Sequence, residues 1–321
     1  MPSPLPHPVP RDTAPRAAFG PLLVYVADPA VTDVFVNPDG SVWVDRGVGA
    51  ERETGVRIPP GEARELAVAL IAAGGRHLDD ATPAADVRIG RGIRVHAVLP
   101  PVAPDAAVLS IRVPRRQRLG LDELDEAGMF ARVPRSEVEA LVARRANVLV
   151  TGAGGVGKTT LLGAMLASAP ADERILLLED VAELKVEHPH VVRLESRQPN
   201  LEGAGGVGLD RLVREALRMR PDRLVVGECR GAELRELLTA LNTGHDGGAG
   251  TLHANSLADV PARLEALGAL AGWSDAALAR QAVSAIDAVL HLVRADDGHR
   301  ELAELGRLRL SQRGRLAAEA A

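Results

Sequence analysis

Gly152, Ala153, Gly154, Gly155, Val156, Gly157, Lys158 and Thr159 form an unbroken G-x-x-x-x-G-K-[ST] run. Each residue type in that pattern has a task in holding phosphate. Glycines let backbone N–H groups converge on an anion, and the start of the following helix adds positive potential. A lysine reaches the β- and γ-phosphates, and a hydroxyl holds Mg2+. The apolar stretch 147–151 precedes the run and a helical pattern through residue 168 follows it. That strand–loop–helix context is the one the pattern requires. A nucleoside triphosphate site is expected here, with Lys158, Thr159 and Thr160 opening the helix at its floor.

Composition singles out Lys158 independently. Of 38 basic residues only Lys158 and Lys185 are lysines. In a chain so biased towards arginine, a retained lysine marks a place where a compact ammonium cannot be exchanged for a planar fork. Two decoys compete with this loop. Its glycines also spell G-x-G-x-x-G with Glu179 at a strand end beyond it, the outline of a dinucleotide site. Lys-Thr after the last glycine is not needed there, however, and nothing downstream supports hydride transfer. A second GAGGVG at 203–208 follows a polar stretch and lacks a lysine, so it reads as a loop.

Carboxylates and histidines cluster beyond other apolar stretches. The run Leu224-Val225-Val226-Gly227-Glu228 is a strand ending in an acid, placed to polarise the water that attacks a γ-phosphate. Glu179, Asp180 and Glu183 follow an earlier strand, where Mg2+ and ordered water would be held. His245 and His253 flank a glycine stretch at a spacing unsuited to zinc, and no cysteine partners exist. His253, at the end of a short strand, suits hydrogen bonding at the edge of the site. Cys229 continues an apolar strand and reads as a packed thiol.

The elements that must position these groups fall into two blocks. Strands at 31–37 and 41–46 around Pro38-Asp39-Gly40, a helix at 61–73 ended by Gly74-Gly75, and strands at 91–99 and 108–113 form an α+β block. The second block alternates strands at 147–151, 174–178, 191–194 and 223–226 with helices at 135–145, 209–219 and 232–241. Two helices (257–270, 274–285) and a hairpin turning at 296–298 follow. Short apolar strands alternating with helices imply a mostly parallel, doubly covered sheet. The expected division is a Pro-rich tail (1–18), an α+β domain (19–113), a linker (114–134) and an α/β domain (135–321).

Several classes are disfavoured. Hydrophobic residues are 46% and charged residues 25%, with a net charge of −5. A globular fold follows, and no global basic field points to nucleic acid. Six aromatic residues are too few for a base-stacking platform. No membrane-length apolar run or secretory leader is expected, and a lone cysteine fits a reducing, cytoplasmic setting.

Taken together, LLLEDVAEL, LRMRPDRLVVGECRG and NTGHDGGAGTLHANS, with GIRVHAVLPPVAPDAAVLSIRVPRR earlier, resemble the secretion ATPase superfamily of type II and type IV secretion, conjugation and type IV pili. The tight-adherence (Flp) pilus and conjugal-transfer branch is the most similar, over roughly residues 20–310. The resemblance implies a RecA-like P-loop motor domain preceded by a smaller α+β domain, in a homohexameric ring that hydrolyses ATP with Mg2+. It makes Glu228 the Walker B acid, Glu179, Asp180 and Glu183 the Asp box, and His245 and His253 the His box. Arg94 and Arg112 become first-domain arginines near the γ-phosphate, and Arg218 one acting across a subunit interface. It also implies an inner-membrane platform partner and peripheral attachment at the inner face of the membrane, while the acidic charge and few aromatics predict no sequence-specific nucleic-acid contact. The four-cysteine zinc module of many type II enzymes is missing. Pilus assembly or secretion is the expected task. Conjugative DNA transfer, a small-molecule kinase and a non-hydrolysing nucleotide-binding regulator are the alternatives.

Overall fold

The structure is a computed structural model describing residues 17–90, 92–113, 119–197, 205–295 and 298–321. The chain divides into two compact units, residues 1–117 and 118–321. Residues 1–16, 91, 114–118, 198–204 (with Gly203 and Ala204 of the second glycine run) and the turn pair Asp296-Asp297 lie outside the described residues.

The first unit runs α1 (Leu23–Ala27), β1 (Asp33–Val36), β2 (Ser41–Asp45), β3 (Ala50–Arg57), α2 (Pro60–Ala73), β4 (Ala84–Ile89), β5 (Ile93–Val98) and β6 (Val108–Arg112). Its strands form one antiparallel sheet in the order β3-β2-β1-β6-β5-β4. Alternation turns Val34, Val36, Val42, Val44, Val95, Ala97, Leu109 and Ile111 to one face, where Ala63, Ala67, Leu70 and Ile71 of α2 join them in a single core. The opposite face carries charge. Asp33, Arg112, Arg94 and Arg88 stand in one row across β1, β6, β5 and β4. Sequence analysis anticipates neither β3 nor β4. Among the described residues β3 pairs only with β2, and it is almost wholly exposed, so it has no buried face to impose an apolar alternation.

The second unit begins with α3 (Leu121–Glu126) and α4 (Arg135–Ala143). β7 (Val148–Gly152), α5 (Lys158–Ala167), β8 (Ile175–Glu179), β9 (Val191–Glu195), α6 (Leu209–Ala216) and β10 (Arg223–Val226) follow. The chain continues through α7 (Glu233–Leu241), β11 (Ala249–His253), α8 (Val260–Leu270), α9 (Asp275–Ala285), β12 (Ala288–Arg294), β13 (Arg300–Leu310) and β14 (Leu316–Ala320). The eight strands are ordered β14-β13-β12-β7-β11-β10-β8-β9. From β12 to β9 all neighbours are parallel, while β13 and β14 extend the sheet antiparallel. Helices α3–α5 cover one face and α6–α9 the other, each with its own apolar cluster. This is the three-layer α/β arrangement expected of a parallel sheet with continuous apolar strands.

One expectation needs correction. Residues 119–134 are not an extended linker. Leu121, Leu124, Met129, Phe130 and Val133 are buried in the same cluster as Val138 of α4 and Leu161 of α5. Their spacing is too irregular to announce a helix, but a six-residue helix held by tertiary packing needs no long periodic pattern.

Candidate nucleotide site

Chain order and sheet order differ, and the difference builds the site. Strands β7, β11, β10 and β8 are neighbours in space. Their carboxyl ends deliver Gly152, His253, Glu228 just past β10, and Glu179 to one edge of the sheet. That edge, outside the carboxyl ends of parallel strands, is where ligands bind in open α/β sheets.

The loop after β7 has the backbone a phosphate cradle needs. Gly152, Gly155 and Gly157 have φ of 145°, 73° and 100°. A Cβ on Gly152 would fall 2.5 Å from the carbonyl oxygen of Leu292 on the neighbouring β12, so both conformation and space exclude a side chain there. Lys158 opens α5 and is buried, its Nζ donating to the carbonyls of Gly152 (3.0 Å) and Ala153 (2.7 Å). Burial lowers its pKa, with Glu228 and Glu183 opposing and Arg230 reinforcing the shift. An ammonium curled onto its own loop can exchange those carbonyls for phosphate oxygens.

Glu228 sits between two partners. Its Oε1 is 3.0 Å from His253 Nε2, and its Oε2 accepts from Arg230 at 2.6 Å. Burial alone would raise its pKa. The hydrogen bond and charge of Arg230, with His253 and Lys158 behind it, outweigh that and hold the carboxyl below its usual value. The carboxylate is therefore ionised and aimed. His253 also faces Lys158, Nδ1 to Nζ 3.3 Å. Burial first, then the charge of Lys158, lowers its pKa. A neutral ring protonated on Nε2 satisfies both neighbours, so the His253–Glu228 contact is a hydrogen bond between a neutral ring and a carboxylate.

The acids after β8 act differently. Glu179 is buried and its Oε1 accepts from the backbone N–H groups of Glu183 and Leu184, both at 2.8 Å. It therefore braces the turn that carries Asp180 and Glu183, and burial raises its pKa. Its Oε2 is buried without a hydrogen-bond partner among the described residues. Asp180 and Glu183 lie within electrostatic reach of Arg230. Among the described residues no three His, Cys, Asp or Glu side chains are grouped to hold a metal ion. The donors present are the hydroxyl of Thr159 in the first turn of α5 and nearby carboxylates. They suit Mg2+, which takes oxygen ligands and keeps much of its water and substrate phosphate.

His245 is not brought to Lys158 or Glu228 by any described contact. It bonds the Ala240 carbonyl at the end of α7. Arg218 is exposed beyond α6, against Glu215 and the Arg214 carbonyl. Arg94 and Arg112 are direct cross-strand partners. Arg94 is clasped by both oxygens of Asp86, at 2.6 to 3.0 Å, whereas Arg112 is more exposed and touches Asp33 at 3.5 Å. Cys229 is fully buried, and burial pushes its thiol up and out of reactivity. Two groups escape sequence analysis. Arg230 holds Glu228, and Arg300 on β13 donates to the Gly155 carbonyl from 2.9 Å. In a chain this rich in arginine, no sequence signal distinguishes either from its neighbours.

Fold and site together define a phosphate-loop α/β protein of RecA-like architecture, with a smaller α+β unit ahead of it. The model of the type II/IV secretion system protein family matches residues 17–317, and the chain belongs to that family. It is 49% identical over 293 residues to a putative conjugal transfer protein of Mycobacterium tuberculosis, covering 89% of this chain and 83% of that one. It is 31% identical over 286 residues to the conjugal transfer protein TrbB of Rhizobium radiobacter, covering 87% and 84%. Among solved structures, the Legionella pneumophila ATPase DotB aligns with a TM-score of 0.61 at 22% identity, over 87% of this chain and 77% of that one. The pilus retraction motor PilT with bound ADP aligns with a TM-score of 0.64 at 18% identity, over 93% and 82%. At those identities the two structures speak for the fold.

Proposed function

We propose that this chain hydrolyses ATP to ADP and phosphate and that the reaction drives a type II/IV secretion machine. The observation that carries this reading is Glu228, ionised and pinned between Arg230 and His253, one contact from the Lys158 ammonium at the mouth of a glycine loop. In the proposed reaction Lys158, Thr159 and the N–H groups of 152–160 bind the triphosphate. Glu228 orients water for in-line attack, and His253 keeps its carboxylate in place. Mg2+, held by Thr159 with Glu228, Glu179 and Asp180 acting partly through water, would neutralise charge on the phosphates. Glu183 is proposed to support the same shell.

Arg94, Arg112 and Arg218 are proposed to add positive charge during turnover, Arg218 from a neighbouring subunit of a homohexamer. Arg94 must leave Asp86 to do so, which makes Arg112 the readier of the first two. An inner-membrane platform protein is the proposed partner, with the motor at the cytoplasmic face of the membrane. Among the described residues no helix is long and apolar enough to cross a membrane. The names of the 49% and 31% identical relatives favour conjugal transfer over pilus assembly as the task.

The test is phosphate release with Mg-ATP by the wild-type chain, Lys158→Ala and Glu228→Gln. No phosphate release by the wild-type chain would overturn the reading, wild-type turnover in Glu228→Gln would move the water-orienting role elsewhere, and phosphate appearing on a small-molecule acceptor would establish the kinase alternative.

A further inference from the structure

A buried histidine lies immediately behind the site and is not used in the reaction proposed above. His291, on β12, is 1% exposed. Thr151, its register partner on β7, is fully buried and is the residue before Gly152. The His291 Nδ1 stands 2.9 Å from Thr151 Oγ1. The backbone of Asn255, two residues past His253, lies within hydrogen-bonding reach of the ring. The Thr151 hydroxyl also lies 3.4 Å from the Leu290 carbonyl. With the ring proton given to the Asn255 backbone, the neutral ring carries it on Nε2 and Nδ1 is left to accept from the Thr151 hydroxyl, its nearer partner. Burial keeps the ring neutral against the charges of Glu304 and Asp259, and the charge of Lys158 acts in the same direction as burial.

Local backbone supports the same connection. The β12–β13 register shifts between His291 and Leu292. Just beyond that irregularity, the Leu292 carbonyl occupies the space that a Cβ on Gly152 would need. β12 is thus fitted against the first residue of the phosphate loop.

We propose that His291 is a positioning residue for turnover. Its ring ties the strand entering the phosphate loop to the segment leaving His253, and so holds His253 in register with Glu228 and Lys158. This rests on the ATPase reading above. A histidine retained only for packing would need neither bond, because an apolar ring of similar size fills a dry position without leaving polar atoms to satisfy. Both of its bonds lead to segments that carry site residues. A displacement of about 1 Å in a group that orients a reactant costs on the order of 100-fold in rate.

The experiment compares Thr151→Val, which keeps the shape and deletes the hydroxyl, with Thr151→Ser, which restores it. Thr151→Val is expected to lower kcat about tenfold or more with KM for ATP held within about threefold, and Thr151→Ser to recover most of the loss. His291→Asn keeps a partner for Thr151 and drops the Asn255 bond. It is read the same way, and it carries the comparison if Thr151→Val is not recovered folded. Unchanged kcat, or a lowered Tm as the only effect, would overturn the proposal. Nitrogen-15 histidine spectra of the wild-type chain supply a readout independent of hydrolysis. They should show His291 neutral and protonated on Nε2. The opposite tautomer would remove the relay whether or not ATP is hydrolysed, while absent wild-type hydrolysis with the expected tautomer would fault the ATPase reading alone.

Discussion

His253 Nε2 stands 3.0 Å from Glu228 Oε1, although the two residues are 25 positions apart in the chain. The contact exists because β10 and β11 are parallel neighbours whose carboxyl ends lie at the same sheet edge. It joins the acid proposed to orient water with the ring that also faces the loop lysine.

Replacing Glu228 with Gln should leave ATP binding within a few-fold of wild type and lower kcat by about 100-fold or more. The amide keeps the shape, and its oxygen can still accept from His253, but the negative charge is gone. Equilibrium binding of a fluorescent ATP analogue alongside phosphate release separates the two effects.

Lys158→Ala should weaken nucleotide binding by roughly 10- to 100-fold, the worth of one or two charge-assisted hydrogen bonds. The loop backbone rests on Gly152, Gly155 and Gly157, so the apo fold should persist. A far-UV spectrum like wild type, with loss of the ATP-induced rise in Tm, is the expected pair of results.

Arg230→Ala removes the largest influence holding the Glu228 carboxyl below its usual value and leaves the burial that raises it. The Glu228 pKa should rise, so the acidic limb of the kcat profile moves to higher pH. A profile superimposable on wild type would mean that Arg230 does not tune this acid.

Stability should also depend on pH through His291. Burial places its folded-state pKa below the ordinary imidazole value of 6.5. A depressed folded pKa means that the unfolded chain binds protons first. The contribution is therefore intact above about pH 6.5 and is lost as pH falls towards the lowered value. Urea denaturation at pH 7.5 and 5.5 should show a lower midpoint at the acidic pH, and His291→Gln should lessen the difference. His253 titrates in the same direction but is partly exposed and contributes less.

Arg112→Ala should reduce kcat more than nucleotide affinity if first-unit arginines act during turnover. Arg94→Ala should behave similarly while also freeing Asp86. Steady-state kinetics of the double variant decide the matter, wild-type kcat being the result that removes both residues from the reaction.

Much of this protein is determined by local sequence. The glycine spacing from Gly152 to Gly157 permits backbone conformations that L side chains resist, and Lys158 and Thr159 follow at the only register that suits phosphate. The continuous apolar runs of β7, β8 and β10 require a sheet covered on both faces. That Arg94 and Arg112 lie on the face away from α2 follows from alternation, since Val95 and Ile111 must face α2. These are short-range facts, readable one element at a time.

Only tertiary structure decided which strand ends meet. Nothing local to Glu228 says that β11 lies beside β10, so neither its bond to His253 nor the absence of His245 from that group is legible in the chain. Arg230 and Arg300 are hidden among many arginines until their partners are in place. Residues 119–134 and the edge strand β3 lack the periodicity that a large buried face would impose. The roles of Glu179 as a turn brace and His291 as a link depend on hydrogen bonds to Leu184, Thr151 and Asn255, whose geometry is set by sheet register and burial and is therefore a property of the packed fold.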